Sequence, residues 1–340
     1  MKDIGKISIV MPCWKAENYI SDIVNDVTKQ TYENWELIIV SNGSGQAPQL
    51  EVIRPFLSAD NRLRVISTEI PGVSNARNLG MASATGDWLT FVDADDRIKD
   101  CYLESLAEGT TDSVDIVIGG YTAHLVESNS YSNIQASKVS GIDKNFIEMF
   151  DMIKKVAWGK LFRISALRNG GGVFDDHLTI SEDAVFCYSL YCYTQNIVSI
   201  PLTGYIYNFG NPGSALSKFH ECSELAESII CDFERKMIDM VDADNEWKNM
   251  NYVRVRYMSA YFTICNFFKG RKILSYRRLK KRIKRTVNNS DVKAAVIARK
   301  GSPCNINLKI FNFCVLHNTP YTLYLIFTAR KLWKKFSKKG

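Results

Sequence analysis

Three carboxylates fall within four positions of WLTFVDADDR, residues 88–97: Asp93, Asp95 and Asp96 end an apolar, β-branched and aromatic run. Two carboxylates one residue apart in an extended turn can approach one hard cation. Mg²⁺ and Mn²⁺ take oxygen ligands and often only one or two carboxylates, with phosphate and water completing the shell. The same residue types also form solvated turns and helix N-caps, and Asp96 reads as such a cap. A second set is Gly72-Val73-Ser74-Asn75-Ala76-Arg77-Asn78-Leu79-Gly80. Its glycines admit close backbone approach, and Arg77 on a helix's first turns can face a phosphate, a base edge or solvent. A third is Glu182-Asp183, paired acids where a loop enters a helix. They can cap that helix, or one of them, aimed into a cleft, can take a proton from a hydroxyl.

The elements that must position these residues are legible in the apolar periodicity. Lys6–Pro12, Glu36–Val40, Leu63–Thr68 and Trp88–Val92 read as strands. Helical spacing over 16–30, 52–57 and 73–83 separates them. Continuously apolar strands alternating with helices predict an α/β fold with a mostly parallel sheet covered on both faces. Ligands in such sheets collect beyond the carboxyl ends of the strands, so the loops after residues 10, 40, 68 and 92 are the ones to watch. Asp115–Gly119 reads as a further strand, and polar residues 124–143 as a hairpin or insertion. Residues 146–156, 183–193, 223–240 and 252–268 read as helices, with Ser181 as an N-cap.

Competing nucleotide motifs fail. SNGSGQAP places Pro48 where the third glycine of G-x-G-x-x-G should stand, and neither a P-loop nor a G-x-S-x-G elbow is present. The four histidines are scattered, and His220, near the end of GNPGSALSKFH, is the one best placed to serve a site. The nine cysteines form no C-x-x-C pair, which fits reduced, buried thiols rather than a disulfide scaffold.

The formal charge of +7 hides a split. Residues 1–246 carry 20 Lys+Arg and 35 Asp+Glu, whereas residues 247–340 carry 23 Lys+Arg and a single acid, Asp291. A soluble body with a polyanion-seeking extension follows from that asymmetry. Arg271–Arg285 holds nine basic residues in fifteen, with Ile273, Leu274, Leu279 and Ile283 as a rough apolar stripe. A basic amphipathic helix of this kind can lie on an anionic leaflet or simply be solvated. Residues 310–328 are uncharged, but Asn312, His317, Asn318 and Pro320 interrupt them, which favours an interfacial position over a span. No nucleic-acid recognition module is legible.

Together the pieces resemble the family 2 glycosyltransferases, the inverting class with the Rossmann-like GT-A fold. SIVMPCWKAENYI resembles that family's opening strand, and TYENWELIIVSNGS its second strand and turn. GVSNARNLGMASATGDWLTFVDADD matches the family pattern through D-x-D-D nearly position for position. AWGKLFR and SEDAVF resemble segments of capsule- and exopolysaccharide-type members. The resemblance implies a catalytic domain over 1–220, with a nucleotide-binding half (1–100) and an acceptor half (101–220). Residues 221–340 would follow as a helical, basic extension.

It further implies that Asp95 holds a divalent cation, Mn²⁺ or Mg²⁺, with Asp93 assisting at the metal or ribose. Pro12, Trp14, Glu17, Ser41, Asn42, Arg77 and Ala94 would surround the nucleotide sugar. Asp183 would be the base, with Glu182 beside it. The implied reaction is metal-dependent, inverting transfer from a nucleoside-diphosphate sugar to a saccharide, lipid-linked acceptor in surface-polysaccharide assembly. The implied location is the cytoplasmic face of the inner membrane, held peripherally through the basic region. One departure supports an alternative, a non-catalytic membrane adaptor. Ser41-Asn42-Gly43-Ser44 stands where the family usually has D-D-G-S, and both carboxylates are lost.

Overall fold

The computed structural model describes residues 2–210, 218–270, 273–299, 306–317 and 319. Residues 211–217 of the glycine-rich loop, the first two of the basic run, and 318 and 320–328 of the uncharged stretch lie outside the described residues, as does KLWKKFSKKG. The chain divides into two compact units, 1–212 with 240–242, and 213–239 with 243–340.

In the first unit β1 (Ile7–Cys13), β2 (Trp35–Asn42) and β3 (Leu63–Thr68) alternate with α1 (Ile20–Thr28), α2 (Ala47–Ala59) and α3 (Val73–Ser83), ahead of β4 (Trp88–Phe91). Every residue of β2 is buried, as a strand covered on both faces requires. The helix α1 buries Ile20, Ile23, Val24 and Val27, the stripe that its spacing predicts. There follow β5 (Arg97–Ile98), α4 (Tyr102–Glu108), β6 (Ile116–Gly119) and the hairpin β7 (Tyr121–Leu125)–β8 (Ser130–Ile134). Then come α5 (Lys144–Glu148), α6 (Asp151–Lys155), β9 (Lys160–Arg163), α7 (Ile164–Asn169), α8 (Glu182–Tyr193), β10 (Ile197–Ile200) and β11 (Tyr205–Phe209).

The main sheet has the order β10-β6-β9-β4-β1-β2-β3. Its strands pair in parallel except β9, which runs antiparallel between β4 and β6. A smaller sheet, β5-β11-β7-β8, stands beside the carboxyl end of β4. The helix α3 rests directly on β1. A Cβ on Gly80 would lie 2.3 Å from Val10 Cγ1, so only glycine lets the two backbones approach this closely.

Residues 146–156, expected as one helix, form two. Met149 and Phe150 are extended between α5 and α6. The break frees the Ile147 carbonyl, and the buried Lys154 ammonium takes it at 2.6 Å.

The second unit comprises α9 (Ser223–Met240), α10 (Asn245–Lys269), α11 (Tyr276–Asn288), α12 (Ser290–Ala298) and α13 (Ile306–Leu316). Tyr257, Ile264 and Phe267 of α10 share one core with Leu279, Ile283 and Val287 of α11, Val296 of α12 and Phe311 of α13. This corrects the expectation that the basic helix offers its apolar stripe to a bilayer. Leu274, Leu279 and Ile283 are buried in protein, and only Ile273 is exposed. Burial of such side chains is worth about 1.5–3 kcal/mol each, so the helical core holds the stripe. Among the described residues no helix is long and apolar enough to cross a membrane.

Candidate active site

The sequence around Arg77 folds so that each residue type has a separate duty. Ala76 is fully buried, and its small side chain lets α3 sit close on the sheet. Ser74 Oγ donates to the Asp175 carbonyl at 3.0 Å. The Asn78 amide brackets Phe174, donating to its carbonyl at 2.8 Å and accepting from its N–H at 2.9 Å. These bonds tie the loop between α7 and α8 to α3. Phe174 then stacks on Phe186 of α8, with ring centroids 3.9 Å apart, and lies under the Arg77 guanidinium at 5.2 Å.

Arg77 is not a surface arginine. It is 4% exposed, and its guanidinium donates from Nη2 to Asp93 Oδ1 and from Nη1 to Glu182 Oε1, both at 3.0 Å. Residues far apart in sequence thus meet at one cation: Asp93 at the carboxyl end of β4 and Glu182 at the start of α8. Burial opposes the guanidinium's charge, but Asp93, Glu182 and Asp183 outweigh it and hold Arg77 firmly protonated. Its Nε is buried without a partner among the described residues.

Asp183 is half-buried next to Glu182, and its Oδ1 accepts from the Ala184 N–H at 2.8 Å. Burial and the neighbouring Glu182 push its carboxyl up to about 7, although Arg77 pulls the other way. A carboxyl so placed can exchange a proton with a hydroxyl near neutral pH. Ser181 occupies the N-cap position but makes no side-chain cap; its backbone is left-handed, with φ 61°. That turn carries the chain from the tethered loop into α8, where the acids begin the first turn.

Below this helix start lies Lys160, buried, with its ammonium bonded to the Ile153 carbonyl at 2.6 Å and to the Val156 carbonyl. Cys187, one turn along α8 from Asp183, donates its thiol to the same Val156 carbonyl at 3.3 Å. Burial draws the lysine down to about 8, against the fields of Cys187 and Asp183.

The acidic turn after β4 is held by β11. Tyr205 Oη accepts from the Asp93 N–H at 3.2 Å and donates to Asp96 Oδ2 at 2.7 Å. The Asn208 N–H donates to Asp96 Oδ1 at 2.8 Å, and its side chain donates to the Asp95 carbonyl at 2.6 Å. Asp96 is therefore not a helix cap. It is 2% exposed, with both oxygens engaged, and burial together with Asp93 and Asp95 raises its pKa well above the usual carboxylate range. Trp158 stacks on Tyr205 at 4.5 Å and fixes the ring that carries the hydroxyl.

The remaining acids of the turn suit a divalent cation. Asp95 is exposed, and Asp93 has one oxygen on Arg77, with no protein partner on the other among the described residues. The pair is of the kind that Mg²⁺ or Mn²⁺ takes, one or two carboxylates with phosphate and water completing the shell. Ala94 between them is buried. His220 belongs to the second unit, where its backbone exchanges hydrogen bonds with the Asn266 side chain at 3.1 and 2.8 Å.

At the carboxyl ends of β1 and β2 stand the other expected residues. Trp14 is exposed, while Pro12 and Glu17 are half-buried. Gly43 lies against Trp14 and Pro71: a Cβ there would be 3.4 Å from the indole nitrogen. Asn42 Nδ2 donates to the Gly72 carbonyl at 3.0 Å, a bond no carboxylate could make. Ser41 Oγ accepts from Gln49 Nε2 at 2.6 Å, and that buried amide also reaches the Cys13 carbonyl at 3.2 Å. The two residues in place of the usual acids are thus built into the loop framework.

Gln49, Lys160, Phe174, Tyr205 and Asn208 were not singled out from the sequence. Phe174, Tyr205 and Asn208 act through contacts distant along the chain, whereas Lys160 bonds to the nearby Ile153 and Val156 carbonyls and Gln49 to Ser41 and Cys13; only the AWGKLFR and SEDAVF similarities pointed to their neighbourhood.

Known proteins share the sequence pattern and the fold of this chain. The model of glycosyl transferase family 2 matches residues 8–171. Glycosyltransferase GlyA of Streptococcus pneumoniae serotype 4 is 28% identical over 216 residues, 59% of this chain and 30% of that protein. The UDP-Glc:alpha-D-GlcNAc-diphosphoundecaprenol beta-1,3-glucosyltransferase WfgD of Escherichia coli is 35% identical over 91 residues, 26% of this chain and 35% of that protein. The matches therefore span about a third of the length of these two curated relatives. The crystal structure of S. aureus TarS 1–349 in complex with UDP-GlcNAc superposes with a TM-score of 0.66 at 17% identity, covering 96% of this chain and 92% of that one.

Proposed function

Because the chain belongs to glycosyl transferase family 2, we propose that it moves a sugar from a nucleoside-diphosphate donor to a saccharide acceptor, with inversion, in bacterial polysaccharide assembly. The observation that carries this reading is Arg77, whose two 3.0 Å bonds bring the acidic turn and the Glu182-Asp183 helix start to one place. TarS, of like fold, holds UDP-GlcNAc, which supports a nucleotide-sugar donor. The name of WfgD gives a diphosphoundecaprenol-linked acceptor, which supports a lipid-linked acceptor here.

In this mechanism the donor's nucleotide lies across the carboxyl ends of β1, β2 and β4, against Trp14 and the Ser41-Asn42 loop. Asp183 accepts the proton of the acceptor hydroxyl as its oxygen attacks the sugar's anomeric carbon. The bond from that carbon to the diphosphate oxygen breaks on the opposite face, so the configuration inverts and a nucleoside diphosphate leaves. Asp95 and Asp93 would hold a divalent cation, whose charge would offset that growing on the leaving group. Arg77 keeps Asp93 and Glu182 fixed while the charge moves.

The test is release of nucleoside diphosphate from a panel of UDP- and GDP-sugars with saccharide acceptors, comparing the native chain with Asp183→Asn. Loss of the base should lower kcat by about 10²–10⁴-fold. Undiminished transfer by the variant would remove Asp183 from the role. An adaptor that kept only the fold would bind neither UDP nor GDP in calorimetry with Mn²⁺.

A further inference from the structure

The helix α11 carries three different stripes. Leu279, Ile283 and Val287 face the core of the second unit. Arg278, Arg282 and Arg285 are matched with acids in the turn before α9 and in its first turn: Arg278 with Glu221 at 3.3 Å, Arg282 with Glu221 and Glu224, and Arg285 with Glu224. The third stripe is Arg277, Lys281 and Lys284, at positions i, i+4 and i+7, one helix face. All three are exposed, and none has an acidic partner among the described residues.

We propose that the Arg277–Lys281–Lys284 face of α11 docks on an anionic lipid surface through charge alone, without insertion of the helix. Insertion needs an apolar stripe, and the one on α11 is already used inside the protein. Neutralisation by protein is also specific to one stripe: the arginines that meet Glu221 and Glu224 cannot serve a leaflet at the same time. The outer stripe spans about 10 Å along a straight helix, which suits the flat array of headgroups. Single-stranded nucleic acid would call for aromatic platforms interleaved among the cations, and α11 has no aromatic residue after its first, Tyr276. The choice of lipid as partner rests on the lipid-linked acceptor proposed above.

The experiment is sedimentation of the full chain with vesicles of phosphatidylcholine alone and of phosphatidylcholine with phosphatidylglycerol. It uses the native chain and the triple variant Arg277→Glu/Lys281→Glu/Lys284→Glu, at low and at 0.5 M salt. No donor or acceptor is present, so a failure here is distinct from a failure of sugar transfer. The native chain should bind only the anionic vesicles and be released by salt. The triple variant, with unchanged thermal melting, should partition at least tenfold less. Binding to neutral vesicles, binding that resists salt, or undiminished binding by the variant would each overturn the proposal. So would a native chain that prefers duplex or single-stranded nucleic acid to the anionic vesicles. A variant that melts early is replaced by Lys281→Gln/Lys284→Gln, read against the same outcomes.

Discussion

Tyr205 and Asp96, 109 residues apart, are joined by a 2.7 Å hydrogen bond that fixes the acidic turn from below. Because the same hydroxyl receives the Asp93 N–H, its loss would free both ends of that turn. Tyr205→Phe should raise the KM for donor and the cation requirement about tenfold, with a smaller change in kcat. Leaving Asp96 short of a partner should cost about 1–3 kcal/mol in stability. Steady-state kinetics beside urea denaturation separates the two effects, and an unaltered KM would argue for a purely structural tyrosine.

Arg77 spans Asp93 and Glu182 with the two ends of one planar guanidinium. A lysine has the charge but not the fork, so Arg77→Lys can satisfy one acid at a time. That variant should keep the fold and lose most of its kcat. Arg77→Ala, which strands two partly buried carboxylates, should cost about 3–5 kcal/mol in unfolding free energy. Equal activity of the arginine and lysine forms would show that bridging is unimportant.

A base must be ionised to work, and Asp183 is held near 7 by burial and by Glu182. The expected pH profile therefore rises through about pH 7, and Glu182→Gln should move the rising limb to lower pH. The stability effect has the opposite sense. Between about pH 4 and 7 the folded chain keeps a proton that the unfolded chain has released, so this group's contribution falls as pH rises across that window. A rate profile flat from pH 5 to 8 would contradict the assignment.

Chelation should abolish transfer, and Mn²⁺ or Mg²⁺ should restore it. Asp95→Ala should prevent restoration at ordinary cation concentrations while leaving the melting temperature within about 2 °C, since Asp95 is exposed. Calorimetric titration of Mn²⁺ into the UDP-bound chain reads the same site without turnover.

The parallel strands and α3 are plain in the sequence because their signals are local: apolar runs, helical spacing and glycine at set places. Asp93, Arg77 and Glu182 also declare themselves through short motifs, though not the salt bridges that unite them. What stays hidden is non-local. KLFR is too short, and its buried Lys160 too polar, to announce a strand. The partnership of Tyr205 with Asp96 leaves no trace in either segment. An amphipathic α11 states that one side is apolar, but not whether protein or lipid covers it.

The antiparallel strand β9 also dictates an order of events during synthesis. Residues 160–163 fill the gap between β4 and β6, which end 69 and 41 residues before β9 begins. Until β9 emerges, both older strands carry open edges, which invite pairing with other chains. A nascent chain stopped near residue 155 should therefore remain protease-sensitive across 88–119 and recruit chaperones. One extended past residue 200, once β9 has filled the gap and β10 has covered the other edge of β6, should become resistant there. The antiparallel strand thus joins the two parallel parts of the sheet, and the arrival of β10 on β6 marks when the young chain stops being vulnerable.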